Sequence, residues 1–351
     1  MTTTSKQIRN RFSRLRVLWD ALMAKRWLLP VLLVVGFILS FAIPKFNLVN
    51  PYFQLILIYI GINIILTTSL NLINGYMGEF SVGHAGFMSV GAYIAALLST
   101  QVFPPEMNAL LFPVTVLIAG LGTALIGLVV AIPSFKTRGD YLAIVTLAFL
   151  MIVKSVIENI DAIGGPRGIP GIYKLTNLPW TFFWTVLAVW VIRNLVYSNF
   201  GRGVLSIRED EIASDLMSVN TRQVKLIAFV ISSFFAGVAG ALFAHVLQFI
   251  SPRVFDIVKS TDILIMVYLG GIGSIGGSIL GATIFTVMLE VLRPLREFRY
   301  VLMPLVLVIL MIYRPRGIMG LREFRWFIPG RDLFASKNWR GKKEASDVAA
   351  S

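Results

Sequence analysis

Apolar residues run through this chain in long continuous stretches, not in the two-residue alternation of a half-buried strand. The stretches fall at 27–43, 52–74, 80–99, 110–133, 141–160, 180–197, 226–250, 261–269, 278–292 and 300–313. A bilayer core takes about 20 residues of helix to cross. Backbone groups inside it must be satisfied within the spanning structure, which leaves helices or a closed barrel. Continuous runs select helices. The pattern predicts an all-α polytopic membrane protein with about ten transmembrane segments, some of them glycine-broken half-helices.

The breaks are the most distinctive part of the pattern. The short eighth stretch runs straight into Gly270-Gly271-Ile272-Gly273-Ser274-Ile275-Gly276-Gly277. Glycines of this density interrupt a helix, so 261–269 reads as a half-span. A second broken place is Gly75–Gly91, GYMGEFSVGHAGFMSVG. At a constant offset the two share G-x-x-G-x-x-x-x-G-A-x-I, matching Gly83, Gly86, Gly91, Ala92 and Ile94 with Gly273, Gly276, Gly281, Ala282 and Ile284. Two readings are open. One is a candidate internal repeat; the other is small residues reused so that helices pack closely, as in Gly273-x-x-x-Gly277-x-x-x-Gly281.

Charge orients the chain. Residues 1–26 hold Lys6, Arg9, Arg11, Arg14, Arg16, Lys25 and Arg26 against Asp20, and the tail 314–351 holds nine Lys/Arg against four acids. Basic flanks beside apolar spans are the positive-inside signature rather than a nucleic-acid site. Both ends are therefore expected in the cytoplasm, with 27–313 as the transmembrane domain between two basic segments, 1–26 and 314–351. Lys136 and Arg138 then lie inside, as does the loop 198–225. The segment 100–109, without Lys or Arg, lies outside. Arg293, Arg296 and Arg299 resist this layout, because they fall outside. Fusing 261–292 into one span would bring them in but expel the more basic tail. The first 26 residues are too long and too charged for the basic part of a cleaved signal.

Composition agrees with the pattern: 56% of the residues are hydrophobic and 14% charged, against roughly 45–50% and about 25% in soluble domains. There is no cysteine, which excludes disulfides, thiolate metal sites and cysteine nucleophiles. His84 and His245 are the only histidines. No phosphate-binding loop of the G-x-x-x-x-G-K-[ST] kind occurs, so any ATP is bound by another subunit. Neither catalytic residues nor a cofactor or metal site is expected.

Broken helices offer free N–H groups at half-helix N-termini and free carbonyls at C-termini, which can hold a polar solute. The candidate translocation path is therefore Asn71, Asn74, Ser81, Gly83 and His84 in the first break, with Gly271, Gly273, Gly276 and Gly277 in the second. For His84, a helix-to-helix hydrogen bond and a transport role are both open. Glu79 is expected at the cytoplasmic interface. Lys154 and Glu158, one turn apart, are expected to pair. His245 and Glu290 read as interfacial, and Trp180, Trp184 and Trp190 as interface or lipid-facing anchors.

The longest polar stretch between spans is 198–225, SNFGRGVLSIREDEIASDLMSVNTRQVK. From Glu209 to Met217 it reads as a short amphipathic helix, with Ile212, Leu216 and Val219 in one stripe. Helices that lie on lipid favour Lys/Arg on the polar face. This one is acidic, which favours a protein partner. The candidate coupling residues are Arg208, Glu209, Asp210, Glu211, Ile212, Ala213, Leu216 and Met217.

Six segments in order carry a resemblance: TSLNLINGYMGEFSVGHAGFMSVGAYIAALL, KTRGDYLAIVTLAF, the GGPRGIPGI loop, GRGVLSIREDEIASDLMSVNTRQVKLIAFVISSFFAGVAGAL, YLGGIGSIGGSILGA and YRPRGIMG. From about Tyr52 to Arg316 the chain resembles the M-type permease of the high-affinity branched-chain amino-acid ABC importers. The resemblance implies that 198–225 carries the coupling helix that docks on an ATPase subunit. Members of that family usually carry Gly where this chain has Ser218. It also implies a second permease subunit, two ATP-binding cassette subunits and a periplasmic binding protein as partners, and a bacterial inner membrane as the location. The urea-transport permeases are close relatives, so urea stays open as cargo. A stand-alone secondary transporter would need an ion site within the spans and has no use for the acidic loop. An intramembrane enzyme would need catalytic pairs the spans lack.

Overall fold

The computed structural model describes residues 28–46, 49–135 and 141–298, and scattered positions between 301 and 327. The basic segment 1–26, the loop residues Lys136 and Arg138, Arg299, most of the expected tenth span and the tail beyond residue 327 lie outside them. The chain divides into two units, residues 1–39 with 323–351, and residues 40–322. In the first, the described part is chiefly the start of α1 (Leu28–Lys45). The second holds everything that follows.

Several helix starts in that unit have a local cause. Asn50 caps α2 (Pro51–Asn71) by accepting from the Tyr52 N–H, with Pro51 in the first turn, where its missing N–H costs nothing. The helix continues as a π-helical stretch, Leu72–Met77, and stops at Gly78, whose φ of 79° suits glycine. α3 (His84–Leu97) begins after an irregular stretch and ends in a π turn, Leu98–Val102. α4 (Asn108–Ser134) and α5 (Tyr141–Asn159) follow. α6 (Leu178–Val196) starts with proline in its first turn. Ser198 caps α7 (Asn199–Glu209), and Asp210 caps the six-residue α8 (Glu211–Leu216). Asn220 caps α9 (Thr221–Leu247), Asp256 caps α10 (Ile257–Gly270) and Ser274 caps α11 (Ile275–Val291).

Six of these helical stretches are long and apolar enough to cross a membrane, so the chain is membrane-embedded. Burial separates inner from outer ones. Pro51–Met77 and Thr221–Leu247 are each 72% buried within the protein, whereas Tyr141–Asn159 is 22% buried and Leu178–Val196 28%. α9 is the central post, packed against α3, α4 and α2. The α9–α3 contact is backbone on backbone: a methyl group on Gly91 would collide with Gly237, and one on Gly240 with the Met88 carbonyl.

The two glycine breaks form two hairpins. In the first, the His84 ring meets the Ser69 hydroxyl at 2.9 Å. Ser69 lies eight residues before the helical end at Met77, about 12 Å back along the axis at helical rise. The Gly78 and Glu79 N–H groups still bond the Ile73 carbonyl, and residues 80–83 then double back before α3 begins. In the second, α10 ends at Gly270 and α11 starts four residues after Gly271. α10 and α11 pack against each other, and α11 also packs on α2. A fused span over 261–292 is thus excluded, and the expected half-span is α10. The terminal motif returns to this break: Ile318 N–H donates to the Leu269 carbonyl and Met319 N–H to the Gly270 carbonyl, each at 3.0 Å. Those are the orphan carbonyls that every helix end must satisfy.

At the opposite end, Tyr52 of α2, Glu290 of α11 and Arg293 cluster. The Tyr52 hydroxyl donates to Glu290, and Arg293 reaches the same carboxylate at 3.0 Å. A two-stranded ladder, β1 (Ile169–Pro170) with β2 (Phe249–Ile250), joins the connections after α5 and α9. Gly168, at φ 79°, sits so close to the Ile250 carbonyl that no side chain fits.

Candidate functional site

The first break is stitched across itself. Asn74 donates to the Ser81 carbonyl at 3.3 Å and accepts from the Ser81 N–H at 3.2 Å. The Val82 N–H donates to Thr146 of α5 at 3.2 Å, and the Val82 carbonyl accepts from Ser260 of α10. Gly83 fits against the Thr146 backbone where no side chain would. Hydrogen bonds from side chains thus replace the missing helical ones, which is how irregular backbone is tolerated at membrane depth. The Ser81 hydroxyl is buried and has no hydrogen-bond partner among the described residues.

The second break is tied to the first through Asn71. Its amide donates to the Ser274 carbonyl at 2.9 Å and the Ser278 hydroxyl at 2.8 Å, and its carbonyl accepts from the Gly273 N–H at 2.9 Å. One buried asparagine thereby uses both ends of its amide on the start of α11. Gly75 completes the junction, since a methyl group there would collide with Asn71 and with the Gly273 backbone. The path candidates fall into three places. Asn71 and Gly273 meet directly. Asn74, Ser81 and Gly83 form the doubled-back stretch, with His84 bonded to Ser69 above it. Gly271, at φ 133°, caps α10, while Gly277 presses on the Gly270 carbonyl, and Gly276 is buried beside it.

The expected helix from Glu209 to Met217 is two helices. Asp210 leaves the helical region, with φ −161° and ψ 114°, so that its carboxylate can accept from the Ile212 and Ala213 N–H groups at 2.9 and 3.0 Å. The N-cap preference of aspartate wins over helix continuity. α7 ends at Glu209, beside Arg208, which pairs with it at 2.9 Å. The apolar stripe is Ile212, Leu216 and Met217, which are 62%, 81% and 79% exposed. Val219 is not part of it; it lies half-buried against Gly203. Ala213 is exposed, and Asp215 is spent on Thr221 at 2.7 Å, closing the turn into α9.

Two contacts connect α7 and α8 with the first break. Arg208 donates to the Gly75 carbonyl at 3.2 Å, and its side chain lies on Gly78. The Lys225 ammonium, buried in α9, reaches Glu79 at 2.5 Å and Glu211 at 2.8 Å. Glu79 is therefore an ion-pair partner rather than a bare interfacial acid. Sequence reasoning passed over Lys225, whose only signal was a lysine immediately before the apolar run 226–250.

Other expectations are corrected by packing. Lys154 pairs with Asp256 at 3.1 Å rather than with Glu158. The Ile257 N–H, and then Lys154, hold the Asp256 carboxyl below its usual range. His245, in the last turn of α9, is fully buried within the protein, bonded to the Tyr173 carbonyl at 2.8 Å and edge-on to Phe112. Trp184 is buried as well, whereas Trp190 is exposed as an outward anchor would be. Lys259 sits half-buried over the Phe243 ring at 5.5 Å.

Residues 52–312 match the family model described as the permease component of branched-chain amino acid transport systems. The chain is 35% identical over 295 residues to the high-affinity branched-chain amino acid transport system permease protein LivM of Escherichia coli, covering 74% of this chain and 68% of that one. It is 31% identical over 130 residues to the LivH permease protein of the same organism, covering 36% and 42%. Against the guanosine ABC transporter permease protein NupQ of Bacillus subtilis, identity is 28% over 204 residues, covering 52% and 63%. No solved structure matches.

Proposed function

Because the chain belongs to the permease-component family of branched-chain amino acid transport systems, we propose that it is the transmembrane permease subunit of a bacterial ABC importer. Its cargo is a branched-chain or other neutral amino acid, handed over by a periplasmic binding protein. It works as a heterodimer with a second, homologous permease, in the inner membrane with both termini cytoplasmic. Two separate ATPase subunits power it.

The observation that carries the reading is α8. A six-residue, side-chain-capped helix holds three large apolar side chains in the open, on a chain with no phosphate-binding loop. Such a patch, flanked by Glu209, Asp210 and Glu211, fits a groove with an apolar floor and basic rim on an ATPase subunit. The path runs beside the first break, where the α3 N-terminus and the unpartnered Ser81 hydroxyl offer donors to a carboxylate. The β1–β2 ladder and its glycine loop support the reading by building a folded outer face for the binding protein.

The test is co-purification of the ATPase subunits with Leu216→Asp or Ala213→Arg, alongside uptake. A buried hot-spot anchor is worth about 2 kcal/mol or more, so both variants reach the membrane but lose ATPase and uptake. Wild-type recruitment in both sinks the docking role. Uptake of labelled leucine against labelled urea and guanosine identifies the cargo.

A further inference from the structure

Lys225 stands where the docking helix, the central post and the first glycine break meet, and its two ion pairs join three separate elements. Its ammonium is held in α9, with a side chain 6% exposed. One carboxylate, Glu211, is the first residue of α8. The other, Glu79, follows Gly78 at the start of the doubled-back stretch, where its N–H still bonds the Ile73 carbonyl and side chains then hold the Ser81 and Val82 backbone. We propose that Lys225 is the positioning residue that transmits displacement of α8 to the 78–83 stretch. The proposal rests on the reading that α8 docks on an ATPase.

The electrostatics suit the task. A buried charge left without a partner is costly. One ammonium facing two carboxylates is never left alone: when α8 swings away with its ATPase, Glu211 departs and Glu79 keeps the ammonium. What changes is how tightly Glu79 is drawn to α9, and Glu79 pulls on backbone that is tied through Asn74 and Thr146 to the rest of the hairpin. Arg208 supplies a parallel thread, from the end of α7 to the Gly75 carbonyl, at the junction where Gly75 touches Gly273. Motion at α8 thus reaches both glycine breaks through two cations, while α9 stays as the fixed reference.

The experiment uses the whole importer in proteoliposomes, reading substrate transported per ATP hydrolysed. Lys225→Met retains the ATPase subunits and continues to hydrolyse ATP, but the ratio falls about tenfold, the order of a coupling free energy between sites. Lys225→Arg, which keeps the charge and can bind both carboxylates, restores most of it. Glu79→Gln preserves shape and guards against a folding defect; its ratio falls too, with thermal stability near wild type. An unchanged ratio in Lys225→Met or Glu79→Gln overturns the proposal. So does an Arg variant as poor as the Met variant, which would make the role one of filling space. Loss of the ATPase from Lys225→Met also overturns it, because Lys225 would then serve docking. The docking reading itself fails elsewhere, on recruitment by Leu216→Asp.

Discussion

Ser218 holds φ at 63° in the turn between α8 and α9. A side chain in that left-handed region costs about 1–2 kcal/mol, because Cβ crowds the following carbonyl, and glycine escapes the cost. A glycine there would have a plain backbone reason, and this chain keeps the turn at the expense of strain. Ser218→Gly should therefore stabilise the solubilised protein by about 1 kcal/mol. A melting temperature unchanged or lowered by the substitution would show that the serine hydroxyl compensates. At the same scale, Lys154 shows how a helical spacing rule is outbid. Glu158 is one turn away on the same helix, yet Asp256, fixed as the cap of α10, presents a preoriented carboxylate.

Among the elements, the α10–α11 hairpin depends on missing side chains. A methyl group on Gly281 would strike the Met266 carbonyl and the Gly270 backbone, and one on Gly270 would strike the Gly277 carbonyl. Backbone cannot turn aside as a side chain tip can. Gly281→Ala is expected to cost about 1–3 kcal/mol and to lower the amount of folded permease recovered from membranes. Full recovery with normal thermal stability would mean the helices part easily. Gly171, with nothing within 4 Å of a built Cβ, is the matched control for space, although its φ of 76° still strains an alanine. α8 obeys a different logic. Too short to be stable alone, it stands because Asp210 caps its start and Glu211 bonds Lys225, which leaves its apolar side free.

At the scale of the unit 40–322, three contacts gather at one end of the helices: Arg208 with Gly75, Asn71 with Gly273, and Ile318 with Leu269. The loop 198–225 and the chain just after Arg316 meet the helices at that end. The Tyr52–Glu290–Arg293 cluster lies at the other end of α2 and α11 and holds Arg293, which resists the positive-inside layout. Its charge is taken up by Glu290 and by the Tyr52 ring at 5.7 Å. Reporters near Glu211 and after Arg316 should both read cytoplasmic, and one near Met107 external. Opposite readings from the first two would contradict the fold, and external readings from both would remove the ATPase from reach.

The sequence by itself determined the class of fold, the spans and both breaks, because continuous apolar runs and glycine clusters are local signals with local causes. The caps Asp210, Asn220, Asp256 and Ser274 came only with the structure, and spacing alone places Asp210 inside a helix. The exposed side of α8 was legible in Ile212 and Leu216, since spacing alone puts them on one face. Only the tertiary structure decided who meets whom. Nothing in the order of residues says that Asn71 bonds the backbone at the start of α11 some 200 positions on, that His245 is buried, or that Lys225 binds Glu79 and Glu211 together. Those pairings come from helices brought side by side by close glycine contacts. Inside such a bundle a charge or an amide has few places to be satisfied, so packing, and not sequence spacing, assigns its partner.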